Sequence, residues 1–152
     1  MSESRPPGGD PPALHLVELL ARGLREYREA VRDALRQSGS EDVPRSGSWL
    51  LTSLVHSPGT VGELAERLGT TKQGLSRLSD ALVERGYLCR NSDPSDHRLV
   101  RLVLTDRGRA AAKTTLAAAA SVDRSIERRA GRDAAVRAQQ ALRALFGAED
   151  AR

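Results

Sequence analysis

Aromatic side chains are nearly absent from this sequence: one Trp, two Tyr and one Phe make up 3% of its 152 residues. Proteins that hold single-stranded nucleic acid stack its bases on several rings, so a chain this poor in rings is unsuited to that task. Cysteine is scarcer still. Cys89 stands alone, which excludes an internal disulfide framework and a four-cysteine zinc site. His15, His56 and His97 lie far apart, with no carboxylate or thiol at ligand spacing around them, so neither a metal site nor a cofactor is expected. No apolar run approaches the roughly 20 residues a membrane span needs. The start, Met1-Ser2-Glu3-Ser4-Arg5-Pro6-Pro7, lacks the basic and apolar regions of a signal peptide. The expectation is a soluble cytoplasmic protein without membrane contact. No nucleophile–base pair, Gly-rich phosphate loop or one-sided carboxylate cluster appears, so no enzyme is expected.

What the chain does have is a mild excess of positive charge, 24 Lys and Arg against 20 Asp and Glu, for a net +4. That balance is compatible with a polyanionic partner without identifying one, and the lack of rings makes duplex DNA the better candidate.

Residues 1–12 carry prolines and glycines with almost no apolar content and read as a disordered lead-in to a single domain over 13–152. From Ala13 to about Ser38 the pattern is helical. Val17, Leu20, Leu24, Tyr27, Val31 and Ala34 recur at spacings of three and four, a heptad-like seam suited to a partner helix. Arg45-Ser46-Gly47-Ser48 before Trp49, Leu50, Leu51, Leu54 and Val55 predicts a short second helix with a serine cap, stopped at Ser57-Pro58-Gly59. Thr60 and Glu63 form a capping box for a third helix buried through Leu64, Ala65 and Leu68.

Gly69-Thr70-Thr71 then joins this helix to another that Thr71 caps and Gly86 stops, which is helix-turn-helix spacing. At 100° per residue, Leu75, Leu78 and Leu82 share the underside of the second helix. Gln73, Ser76, Arg77 and Asp80 lie roughly opposite, with Lys72 on the flank. After Gly86 the period changes to two. Tyr87 to Asn91 and Leu99 to Leu104 read as strands around the turn-forming Ser92-Asp93-Pro94-Ser95-Asp96-His97-Arg98. A hairpin directly after a helix-turn-helix is a wing. Thr105 caps a long Ala-rich helix ending near Gly131, and a last helix carries Ala135, Ala138, Leu142 and Leu145, with Phe146 beside them. These helices hold few large apolar side chains, which points to packing against a second subunit.

The fold class is therefore mainly α with a small β-wing: a winged helix-turn-helix at about 46–104, flanked by dimerisation helices at about 13–38 and 106–147. Gln73 can pair bidentately with adenine, Arg77 with guanine or a phosphate, and Lys72 and Ser76 suit phosphate oxygens at the helix start. Thr71 caps the helix where a phosphate would approach. Arg98 can enter a narrow minor groove with Asp96 holding its guanidinium, the plainer alternative being a turn closed by Asp96. Asp80 suits a salt bridge better than a base, and Arg90 and Arg101 are weaker phosphate candidates. Cys89 fits a small buried hydrophobe better than a redox switch.

The run from Thr60 to Leu78, then Leu82-Val83-Glu84-Arg85-Gly86-Tyr87-Leu88, Asp93-Pro94-Ser95-Asp96-His97-Arg98 and Leu104-Thr105-Asp106-Arg107-Gly108, resembles the MarR family of bacterial regulators. The resemblance spans about a third of the chain, and its Asp-x-Arg wing followed by Leu-Thr-x-x-Gly is specific. It implies a triangular homodimer whose first and last two helices form the interface. It also implies binding to pseudo-palindromic double-stranded DNA near promoters, usually to repress, with release by a small-molecule effector in many relatives. Tyr27, Trp49 and His56 fall on helices that line the effector pocket in similar proteins, although Tyr27 and Trp49 read more simply as core. The alternative is a winged-helix module that holds another regulator and reads no DNA. Such a protein interface would favour aromatics where this chain has Lys72, Gln73, Ser76 and Arg77.

Overall fold

The structure, a computed structural model, describes residues 15–93 and 95–146. The expected lead-in at 1–12 lies outside the described residues. Six helices and one antiparallel hairpin follow in the order α1 (Leu16–Gln37), α2 (Gly47–His56), α3 (Val61–Arg67), α4 (Lys72–Glu84), β1 (Leu88–Ser92), β2 (Val100–Leu104), α5 (Asp106–Ala130) and α6 (Arg132–Phe146). Mainly α with a β-wing is thus the observed class.

Buried residues of α1 to α5 and of both strands join in one apolar cluster. Leu50, Leu51, Leu64, Leu75, Leu82 and Tyr87 are fully enclosed in it. Only the C-terminal half of α1 takes part. Val31 and Leu35 are buried, and Tyr27 and Ala34 pack partly against them. Toward its start α1 leaves Leu16, Val17, Leu19 and Leu24 exposed.

Three expectations need correcting. Ser46 stands at the N-cap position of α2, but its hydroxyl makes no capping bond. Its backbone lies at φ −99°, ψ 0°, not in the extended form that aims a cap hydroxyl at the next amides. Gly47 N–H instead donates to Pro44 O at 2.6 Å. Trp49 is not core: it remains 43% exposed. Leu50, Leu51 and Leu54 occupy one face of α2, and the 100° step puts Trp49 nearly opposite. The Ala-rich helix α5 does not depend wholly on a partner. Ala111, Ala112, Thr115 and Ala118 are buried within the chain, where α5 packs on α1 and α2 and the small side chains allow close approach.

The hairpin is shifted by a residue from the expected strands. Leu88 pairs with Leu104 and Ser92 with Val100. Tyr87, expected to begin the strand, donates its N–H to Leu82 O at 2.9 Å and so closes the end of α4. A lone bridge from Gly59 O to Leu102 N–H, 2.9 Å, ties the α2–α3 connection to β2.

Candidate nucleic-acid interface

Helix α3 begins with both bonds of the capping box in place: Thr60 N–H donates to Glu63 Oε2 at 2.8 Å, and Glu63 N–H to Thr60 Oγ1 at 3.2 Å. It ends at a turn in which Gly69 has φ +59°, a conformation costly to residues bearing a Cβ. Thr71 Oγ1 then accepts from Gly74 N–H at 3.1 Å and starts α4. These two local devices set the angle at which α4 leaves α3.

Within α4, Leu75, Ser79 and Leu82 are buried and Leu78 is half-buried. Lys72, Gln73 and Arg77 are exposed, and Ser76 is half-buried. Gln73 and Ser76 share one open concavity with Lys72, Val61 of α3, and Arg90, Val100 and Leu102 of the wing strands. The donors at the start of α4 and the flank of the wing therefore form one continuous surface.

Two cations on that flank have protein partners. Arg90 forms an ion pair with Asp80, joining β1 to α4. Arg101 pairs through Nε with Asp93, and its Nη1 lies 3.4 Å from both Pro58 O and Glu63 Oε2. Asp93 is buried and also accepts from Ser95 N–H at 2.7 Å and Asp96 N–H at 3.3 Å. The Ser95 hydrogen bonds, then Arg101, hold its carboxyl far below the usual carboxylate range. The loop end of the wing strands is thus fastened to the first turn of α3. Sequence reasoning treated Asp93 only as a turn former and Arg101 as a phosphate candidate; the Asx-turn chemistry of Asp93 was the available signal.

At the wing's end, Asp96 Oδ1 accepts from Arg98 backbone N–H at 3.0 Å and from its Nε at 3.3 Å. The Arg98 side chain is nevertheless 92% exposed. Asp96 thus orients the guanidinium without covering its Nη atoms.

A second junction, unforeseen from the sequence, lies at the far end of α4. The Tyr87 hydroxyl donates to Asp42, which also accepts from Arg107 Nη2 at 2.9 and 3.1 Å. Arg107 lies 4.2 Å from the centre of the Tyr87 ring and donates through Nη1 to Arg85 O at 2.5 Å. The Tyr87 hydrogen bond, then Arg107, lowers the Asp42 pKa, whereas burial, then Asp42, raises that of Tyr87. This network clamps the C-terminal end of α4 to the start of α5.

The remaining singled-out residues are not drawn together. Cys89 is half-buried, with Sγ 3.6 Å from Val103 O. His15, His56 and His97 are exposed, and among the described residues no three His, Cys, Asp or Glu side chains gather as a metal site. Tyr27, Trp49 and His56 do not line the aliphatic cavity of about 480 Å³ between α2, β2 and α5, whose walls include Leu54, Val55, Leu104 and Leu116 with Arg109 and Lys113. No helix among the described residues is long and apolar enough to cross a membrane.

Residues 41–99 match the sequence profile of the MarR family. Among curated proteins, uncharacterized protein Rv2011c of Mycobacterium tuberculosis is 38% identical over 80 residues, covering 49% of this chain and 56% of that protein. The chain thus matches only about half the length of that relative. The reduced form of MarR from E. coli has the same fold, with a TM-score of 0.71 and 20% identity over 90% of this chain and 99% of that one. A MarR transcriptional regulator from Methanosarcina mazei Go1 gives 0.72 and 18% over 87% and 94%. RV1404 from Mycobacterium tuberculosis gives 0.67 and 23% over 92% and 100%.

Proposed function

We propose that this chain, whose residues 41–99 match the MarR-family profile and whose fold is that of MarR, is a transcription regulator of that family that binds duplex DNA sequence-specifically as a homodimer and represses transcription in a ligand-responsive way. One observation carries the reading. The exposed Lys72, Gln73 and Arg77 and the half-buried Ser76 stand over a buried leucine underside on α4, on the same side as the wing that holds out Arg98. Helix α4 would enter a major groove, with Gln73 and Arg77 meeting base edges and Lys72, Ser76 and Thr71 meeting phosphates. Arg98, oriented by Asp96, would enter the flanking minor groove.

The domain is one unit over 13–152, its DNA-binding lobe at about 46–104 serving helices that dimerise. The apolar side chains left open support a dimer. Leu16, Val17, Leu19 and Leu24 of α1 are exposed, as are Val136, Leu145 and Phe146 of α6. In a two-fold dimer the reading helices would lie ~34 Å apart, one turn of DNA. A small-molecule effector would find the aliphatic cavity between α2, β2 and α5, whose occupation bears on how the lobe sits against α5. The role is one of binding in the cytoplasm and assigns no catalytic group.

Fluorescence anisotropy with duplex operator DNA tests the reading. Affinity should fall steeply with salt as counterions cease to be released. The Arg98→Ala variant should lose about 10- to 100-fold, equivalent to ~1–3 kcal/mol. Equal binding by wild type and variant on specific and random duplexes would remove the wing from the interface.

A further inference from the structure

A second cavity, of about 360 Å³, opens between α1, the α1–α2 connection and the start of α2. Arg28, Arg32 and Arg45 line it, with Glu41 and Ser48. Its floor is apolar, made by Val31, Leu35, Val43 and Pro44. Arg28 and Arg32 stand one helical turn apart on α1, so their side chains share a face and repel one another. Neither they nor Arg45 form an ion pair or side-chain hydrogen bond among the described residues. Some arginines elsewhere are neutralised, Arg36 by Asp33, Arg90 by Asp80, Arg101 by Asp93 and Arg107 by Asp42; what sets Arg28, Arg32 and Arg45 apart is that all three border one concavity.

Three uncompensated guanidinium groups around one concavity are suited to a multiply charged anion, because each can offer two N–H donors to a phosphate group. The rest of the lining narrows the class further. A carboxylate at Glu41 repels an anion but accepts from hydroxyl or amino groups, and Ser48 can donate or accept. An aliphatic floor of two buried side chains, Val31 and Leu35, flanked by Val43 and Pro44, suits the face of a flat or apolar body. The ligand that satisfies all three demands carries phosphate at one end, hydroxyls in the middle and an apolar ring system. We propose that this cavity is a binding site for a nucleoside phosphate.

The site is separate from the DNA-facing surface. The start of α2 packs against the C-terminal end of α4, where a Cβ on Gly47 would lie 3.2 Å from Leu82 Cδ2. Lys72 and Leu82 are ten positions apart on α4, so the reading end lies ~15 Å away along the helix. The α1–α2 connection that walls the cavity also carries Asp42, the residue that clamps Tyr87 and Arg107. A nucleotide in the cavity would therefore rest against the segment that holds α4 to α5.

Isothermal titration and thermal melts of the full chain with AMP, ATP, inorganic pyrophosphate and adenosine test the proposal. AMP or ATP should bind, adenosine should not, and at a hundredfold excess over Kd the melting temperature should rise by ~5 °C or more. The Arg28→Ala, Arg32→Ala and Arg45→Ala variants, all at exposed positions, should fold as wild type by circular dichroism and each lose at least tenfold in nucleotide affinity. Absence of nucleotide binding at millimolar concentration would overturn the proposal, as would binding that all three variants retain. Variants that weaken duplex DNA while no phosphate compound binds would assign the arginines to the DNA backbone instead. Because these readouts need no operator, they stand or fall apart from the DNA-binding reading.

Discussion

Gly108 sits where the first turn of α5 crosses the backbone at the start of the wing, and replacing it with alanine is the sharpest structural perturbation the fold offers. A Cβ built there would lie 2.0 Å from Tyr87 O and 3.0 Å from Tyr87 C. An ordinary carbon–oxygen contact is about 3.3 Å, so the backbone must separate by about 1.3 Å. Tyr87 O accepts from Thr105 N–H at 3.1 Å, and Thr105 Oγ1 caps α5 by accepting from Gly108 N–H at 3.0 Å. The separation strains both. Overpacking costs about 1–3 kcal/mol and a weakened cap about 1 kcal/mol, which gives ~2–4 kcal/mol in total. For a chain of this length each kcal/mol moves the melting temperature by about 2–4 °C, so Gly108→Ala should melt some 5–15 °C lower. Gly23→Ala supplies the control. It lies inside α1 with nothing within 4 Å of its Cβ, and should gain ~0.5–1 kcal/mol from helix propensity. Calorimetry of both variants at one protein concentration gives opposite signs if the geometry is right. A Gly108→Ala melt within about 2 °C of wild type would refute the close approach of α5 to Tyr87.

Further consequences concern pH and assembly. Asp93 titrates below the ordinary carboxylate value of 3.8 because Ser95 and Arg101 bind its ionised form. The stability it supplies is complete above that ordinary value and is lost as pH falls through the lowered one. The Asp93→Asn variant should be less stable at neutral pH and lose less than wild type as the pH falls below 4, as followed by thermal melts; parallel acid limbs would deny Asp93 this role. Tyr87 runs the other way. Its raised pKa means that stability present below the ordinary value of 10.0 is lost as pH rises through the folded value. Tyr87→Phe should therefore flatten the alkaline limb, while costing about 1 kcal/mol at neutral pH for the lost hydrogen bond to Asp42. On α1, Leu24 is 46% exposed within the apolar patch, and Leu24→Glu should shift sedimentation from dimer toward monomer at least tenfold in concentration. An unchanged dimer would place the interface elsewhere.

The parts of the fold that were legible in the sequence are those fixed by local chemistry. The Thr60–Glu63 box, the Gly69 turn and the Thr71 and Thr105 caps each satisfy backbone donors or dihedrals within a few residues, and each appears where its residue types predict. The leucine underside of α4 was equally readable, since period alone sets it. What escaped is held by pairs distant in sequence. Asp42 meets Tyr87 and Arg107 across 45 and 65 residues, and Arg101 reaches Glu63 across 38. No local pattern marks such contacts. At Trp49 helical phase decides over residue type, and in α5 the close approach that alanine permits is used within the chain, against α1 and α2, where the sequence pointed to a second subunit. Of the candidate interface, Lys72, Gln73, Ser76, Arg77 and Arg98 were open to the sequence as polar positions opposite a core or beyond a hairpin. The partners that occupy Arg90 and Arg101 were not.

Selection of bound duplexes from a random DNA pool by the purified chain tests the central claim most directly. The account predicts enrichment of an inverted repeat whose half-site centres lie about 10 base pairs apart, as two α4 helices one turn apart require. Enrichment of no sequence at low salt, by a protein shown to be a folded dimer, would contradict it and leave the surface of α4 and the wing to a protein partner.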